Sequence, residues 1–80
     1  MSKHKFEISR VIQDGEKLIA LHLVGAPKDI MIAANDDTET FPLEERKNRE
    51  KEAVDWLILN AKENCERLYG SSDVEVTVKL

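Results

Sequence analysis

Asp14-Gly15 stands between two alternating apolar runs, and this dipeptide constrains the chain more than any other feature in it. A two-residue hairpin loop of type I′ needs positive φ at both central positions, which Asp-Gly supplies at low steric cost. The run before it, KFEISRVI at residues 5–12, sets Phe6, Ile8 and Ile12 on one side. The run after it, KLIALHLV at residues 17–24, sets Ile19, Leu21 and Leu23 on one face and Leu18, Ala20, His22 and Val24 on the other. The chain therefore opens with an antiparallel pair, and residues 1–4 are expected to be a loose start.

Gly25-Ala26-Pro27-Lys28-Asp29 reads as a second turn, in which Pro27 presets φ and Gly25 permits unusual backbone. A short third strand is expected from residue 30 to 33 or 34. The polar stretch NDDTET, residues 35–40, leads into a helix predicted over about 42–69. Pro42 is tolerable in its first turn, and Glu44 and Glu45 suit its positive dipole end. Gly70 follows as a left-handed cap. VEVTVKL, residues 74–80, alternates as a strand with Val74, Val76, Val78 and Leu80 on one face. The expected architecture is a single α+β domain over residues 1–80 in the order βββαβ. It is an antiparallel three-strand meander with the final strand beside the first, parallel to it, and one long helix on one face.

At about 100° per residue, Ala53, Val54, Leu57, Ile58, Ala61, Cys65, Leu68 and Tyr69 fall in one broad sector, the predicted core face. Phe6, Ile8, Leu21 and Val76 are its expected partners. Trp56 and Leu59 fall outside that sector, where a large aromatic suits a contact with another molecule. The helix spans about 42 Å against strands of about 23–26 Å. Its charged N-terminal third, LEERKNREKE, is therefore expected to overhang the sheet, supported by i,i+4 pairs such as Glu45–Arg49 and Arg46–Glu50.

The 80-residue length allows one small core, with only about 60% of the unfolded surface buried. A net charge of −4 disfavours phosphate backbones as main partner. No apolar run approaches the ~20 residues that cross a bilayer. One cysteine, Cys65, cannot form a disulfide within the chain, and with no leader-like segment this favours the cytoplasm.

Chemical motifs are weak throughout. Cys65 lies in the apolar stripe and reads as a core residue. His4 and His22 share no ligand spacing with other metal-binding residues. Asn35, Asp37 and Glu39 imitate the start of a calcium loop, but Thr40 and Arg46 occupy positions where Gly and Glu are needed. Asp36–Asp37 is too ordinary a surface pair for acid–base work, and the three glycines are too scattered for a phosphate loop. The expectation is a non-enzyme with no cofactor, metal or small-molecule ligand.

The reading that follows is a small cytoplasmic protein-interaction or regulatory module, homodimeric or bound to another protein. Two surfaces compete for the contact: the helix flank with Trp56 and Leu59, which is favoured, and the outer sheet face with Leu18, Ala20, His22 and Val24. One alternative is a nucleic-acid-associated protein using the basic residues Lys3, His4, Lys5 and Arg10, with Lys79 beside them. Its outward strand positions Lys5, Glu7, Ser9 and Val11 offer no aromatic for base stacking. Another is an acidic mimic of nucleic acid built on Asp36, Asp37, Glu39, Glu44 and Glu45.

Overall fold

A computed structural model describes residues 3–26 and 28–80. The expectations resting on Met1, Ser2 and Pro27 lie outside those residues. The elements run β1 (His4–Gln13), β2 (Glu16–Leu23), β3 (Ile30–Asn35), a single 3-10 turn (Thr38–Thr40), α1 (Leu43–Tyr69) and β4 (Val74–Lys79). This is the α+β arrangement read from the sequence. The strand order is β3-β2-β1-β4, with β1–β2 and β2–β3 antiparallel and β1–β4 parallel.

The hairpin forms as its turn residues dictate: Asp14 has φ 52° and Gly15 φ 79°. Phe6 pairs with Leu23 and Ile8 with Leu21 across β1 and β2, while β4 sets Val76 beside Phe6 and Val78 beside Ile8. Side chains alternate across strands, so one face of the sheet carries Phe6, Ile8, Ile19, Leu21, Leu23, Val74 and Val76. Helix α1 lays Leu57, Ala61 and Cys65 along that face, one turn apart on a single ridge. Phe6, Ile8, Ile19, Leu21, Leu57, Ala61 and Cys65 form the buried core, with Ala53, Val54 and Ile58 packed beside it. Gly70, at φ 70°, ends α1 in the left-handed region, its N–H donating to the Glu66 carbonyl.

Five sequence expectations are corrected. Leu68 and Tyr69 share the azimuth of the core stripe, yet both are exposed. The last turn of α1 runs past the edge of the apolar patch, and Tyr69 instead stacks on His4 with ring centroids 4.3 Å apart. His4 is part of β1, not of a loose start. Ile12 has the parity of Phe6 and Ile8 but is 73% exposed, because the helix opposite it has turned polar. Val24 lies beyond β2, although its N–H still donates to the Lys5 carbonyl.

The fifth concerns the overhang. Residues 43–50 are helical, but they do not stand free. Strand β1, with ten residues, reaches farther beneath the helix than the sequence reading allowed, and the 3-10 turn folds against its N-terminal third. The Arg46 Nε donates to the Phe41 carbonyl at 2.9 Å and a second guanidinium nitrogen donates to the Glu39 carbonyl at 3.2 Å. Arg49 grips Asp37 with two parallel bonds of 2.9 and 3.1 Å, the forked geometry that fixes orientation best. Its guanidinium also lies 5.5 Å from the centre of the Phe41 ring, within cation–π range.

Candidate functional site

The flank of α1 next to β3 carries the candidate site. Trp56 is 45% exposed there and Leu59, farther round toward solvent, 54%. Both remain outside the core, as their helical phase predicts. Between Trp56 and the edge of the sheet runs a shallow groove of ≈ 420 Å³, floored by Ala33, Ala34 and Ala53 and rimmed by Asp37, Arg49 and Glu52.

The backbone of β3 adds to this site. Asp36 N–H donates to the Lys17 carbonyl at 3.0 Å, which marks that pair as hydrogen-bonded. Bonded and non-bonded pairs alternate along an antiparallel ladder. Ile32 and Ala34 therefore turn their backbone groups to β2, while Ala33 and Asn35 turn theirs to the open edge. A register shift between Leu21 and His22 places a bulge at Met31, and consecutive residues Met31 and Ile32 both pack toward the core. The bulge bends the start of β3 and confines the regular edge to residues 32–35.

The competing outer sheet face is more polar and more tightly closed than its sequence implies. Ala20 and His22 are buried, Leu18 is half-buried and Val24 exposed. A charged row crosses it: Lys79 Nζ donates to Glu7 Oε1 at 2.9 Å, and the other Glu7 oxygen lies 3.3 Å from His22 Nε2. The Lys79 hydrogen bond holds the Glu7 carboxyl below the ordinary carboxylate range, against the opposing effect of burial. His22 is only 2% exposed, and its Nδ1 has no hydrogen-bond partner among the described residues.

The basic residues singled out from the sequence are dispersed. Lys3 and Lys5 are exposed, with Lys5 opposite Glu75 in the parallel ladder. Lys79 is spent on Glu7, and Arg10 lies on the other face of β1, bonded to Asp36 at 3.1 Å and Glu50 at 2.5 Å. The acidic residues are likewise engaged. Asp36 takes Arg10 and the Thr38 hydroxyl, Asp37 takes Arg49, and Glu39 takes Lys17.

Arg10, Lys17, Asp36, Glu39, Arg46 and Glu50 line a second cleft of ≈ 470 Å³ where hairpin, 3-10 turn and helix meet. Sequence reasoning missed it. Its ion pairs link residues 22, 26 and 40 positions apart, a separation that no local pattern encodes. Each acid there has a base, so the cleft acts as a polar continuation of the core that joins hairpin to helix.

Cys65 is fully buried, and that burial, with Asp73 adding to it, pushes its thiol pKa up. A nucleophilic cysteine needs the opposite shift. Among the described residues no group of three or more His, Cys, Asp or Glu side chains is placed to hold a metal ion, and no helix is long and apolar enough to cross a membrane. Comparison with protein-family models, with curated proteins and with solved structures finds no match.

Proposed function

We propose that the chain is a cytoplasmic protein-interaction or regulatory module that acts by surface contact and pairs with a second copy of itself. The contact surface is the α1 flank with Trp56 and Leu59. One observation carries this reading: the only tryptophan of the chain stands half-exposed above a groove at the sheet edge. Tryptophan supplies a large apolar area with few rotatable bonds, and such residues dominate contact energies where they are desolvated by a partner. The outer sheet face is the weaker candidate. Its central residues already cover one another, and the Lys79–Glu7–His22 row would have to be desolvated with it.

Sedimentation of wild type, Trp56→Ala and Leu18→Ser tests the proposal. The expected outcome is a wild-type dimer at high micromolar concentration, weakened by about 2 kcal/mol or more in Trp56→Ala, as for a hot spot, and unchanged in Leu18→Ser. A dimer disrupted by Leu18→Ser alone would move the contact to the sheet. A wild-type monomer across that range would defeat self-association.

A further inference from the structure

An edge strand exposes a row of unpaired backbone donors and acceptors, and folded proteins guard such edges with charge, proline or a cover. The two edges of this sheet differ. Strand β4, VEVTVK, carries Glu75 and Lys79. Strand β3, IMIAAN, carries no charge and no proline over its six residues, and the groove beneath Trp56 leaves its edge uncovered. Its one guard is the bulge at Met31, which leaves residues 32–35 regular.

From this we infer that β3 pairs antiparallel with β3 of a second copy, joining two four-stranded sheets into one continuous sheet. The inference rests on the dimer proposed above and specifies how it is built. The register follows from the outward groups. Ala33 and Asn35 face the open edge, so Ala33 of each copy bonds Asn35 of the other, and Ala34 meets Ala34 at the two-fold axis. That central pair is non-hydrogen-bonded, the type in which opposed residues come closest, about 4.5 Å between Cα atoms. Alanine is small enough for that approach. A two-fold axis perpendicular to the sheet keeps both helices on one face, and the two Trp56 side chains then cover the seam from opposite sides.

The rim favours a second copy over a foreign peptide. Arg49 stands there among Asp37 and Glu52. A rim of both signs can oppose itself under a two-fold axis, cation to anion, whereas a peptide of uniform charge meets repulsion as well as attraction.

Amide hydrogen exchange of the full chain, at a concentration where it is dimeric and again after dilution, tests the pairing. The Ala33 and Asn35 amides are expected to exchange slowly in the dimer and to lose that protection on dilution, while the Ile32 and Ala34 amides, bonded to β2, stay protected throughout. Ala33→Pro removes an outward N–H without touching the β2 ladder, and is expected to weaken dimerisation at least tenfold. A dimer in which Ala33 and Asn35 exchange as fast as in the monomer would overturn the strand pairing and leave the Trp56 contact standing. A monomer at high micromolar concentration would overturn both. The exchange measurement needs no variant, so a misfolded Ala33→Pro does not blunt it.

Discussion

Leu57 and Leu68 lie about three turns apart on nearly the same azimuth of α1, yet Leu57 is fully buried and Leu68 is 58% exposed. Helical phase alone treats them alike. What separates them is the extent of the sheet beneath: Leu57 sits over Phe6, Ile8, Ile19 and Leu21, whereas Leu68 has passed the end of that patch. Truncating a buried leucine removes its transfer energy and leaves a cavity, so Leu57→Ala is expected to cost about 2–5 kcal/mol. Leu68→Ala is expected to stay within about 0.5 kcal/mol, as surface substitutions do. Urea unfolding of both variants, compared at equal protein concentration, reads the contrast; similar losses at the two sites would mean that the last turn of the helix is covered after all.

At the scale of elements, the helix N-terminus is held by side chains where a helix cap would ordinarily act. Pro42 occupies the cap position and makes no side-chain capping bond, so Arg46 and Arg49 reach back to the 3-10 segment instead. The Arg49 guanidinium holds the Asp37 carboxyl below its ordinary value. Asp36 is also lowered, although burial opposes this, because Thr38 and Arg10 together outweigh it. Carboxyls that bind protons more weakly in the folded than in the unfolded chain add stability that is fully present above the unfolded value of about 4 and lost as pH falls through the folded value. Asp37→Asn is therefore expected to lower the urea midpoint at pH 7 and to flatten its decline between about pH 4 and pH 2. An acid limb as steep as that of wild type would remove Asp37 from the tether. These ties also mark where sequence reading stopped. Alternation placed the strands, Asp14-Gly15 the hairpin and Gly70 the helix end, because each is a local backbone preference. The Met31 bulge depends on how β3 meets β2, and the Arg10–Glu50 pair on how hairpin meets helix. Arg10 groups in the sequence with the basic residues of the first strand, without a named partner, for the same reason. Its inward position follows from strict alternation after Phe6 and Ile8, but only the polar stretch of helix above it makes a buried-side arginine tolerable. Trp56 was legible through helical phase, whereas the open backbone of Ala33 and Asn35 depends on which strand ends at the edge.

For the molecule as a whole, 80 residues supply a single small core, and a chain of that size keeps a large share of its surface in water. Pairing along one side would add buried area that the chain alone lacks. Anything that binds the folded state and not the unfolded one raises stability by mass action, so a dimer that melts to unfolded monomers has a midpoint that climbs with concentration. With an unfolding enthalpy of about 0.7 kcal/mol per residue summed over two chains, the climb is about 4 °C for each tenfold increase where the dimer is populated. Calorimetric scans over a hundredfold concentration range are expected to show this slope for wild type and a flatter one for Trp56→Ala, whose folded monomer melts independently of concentration. The two effects separate cleanly: a substitution that merely damaged the core would lower every midpoint equally and keep the slope. If wild type melts at one temperature throughout that range, the second copy contributes nothing to its folding, and the groove beneath Trp56 serves some other molecule.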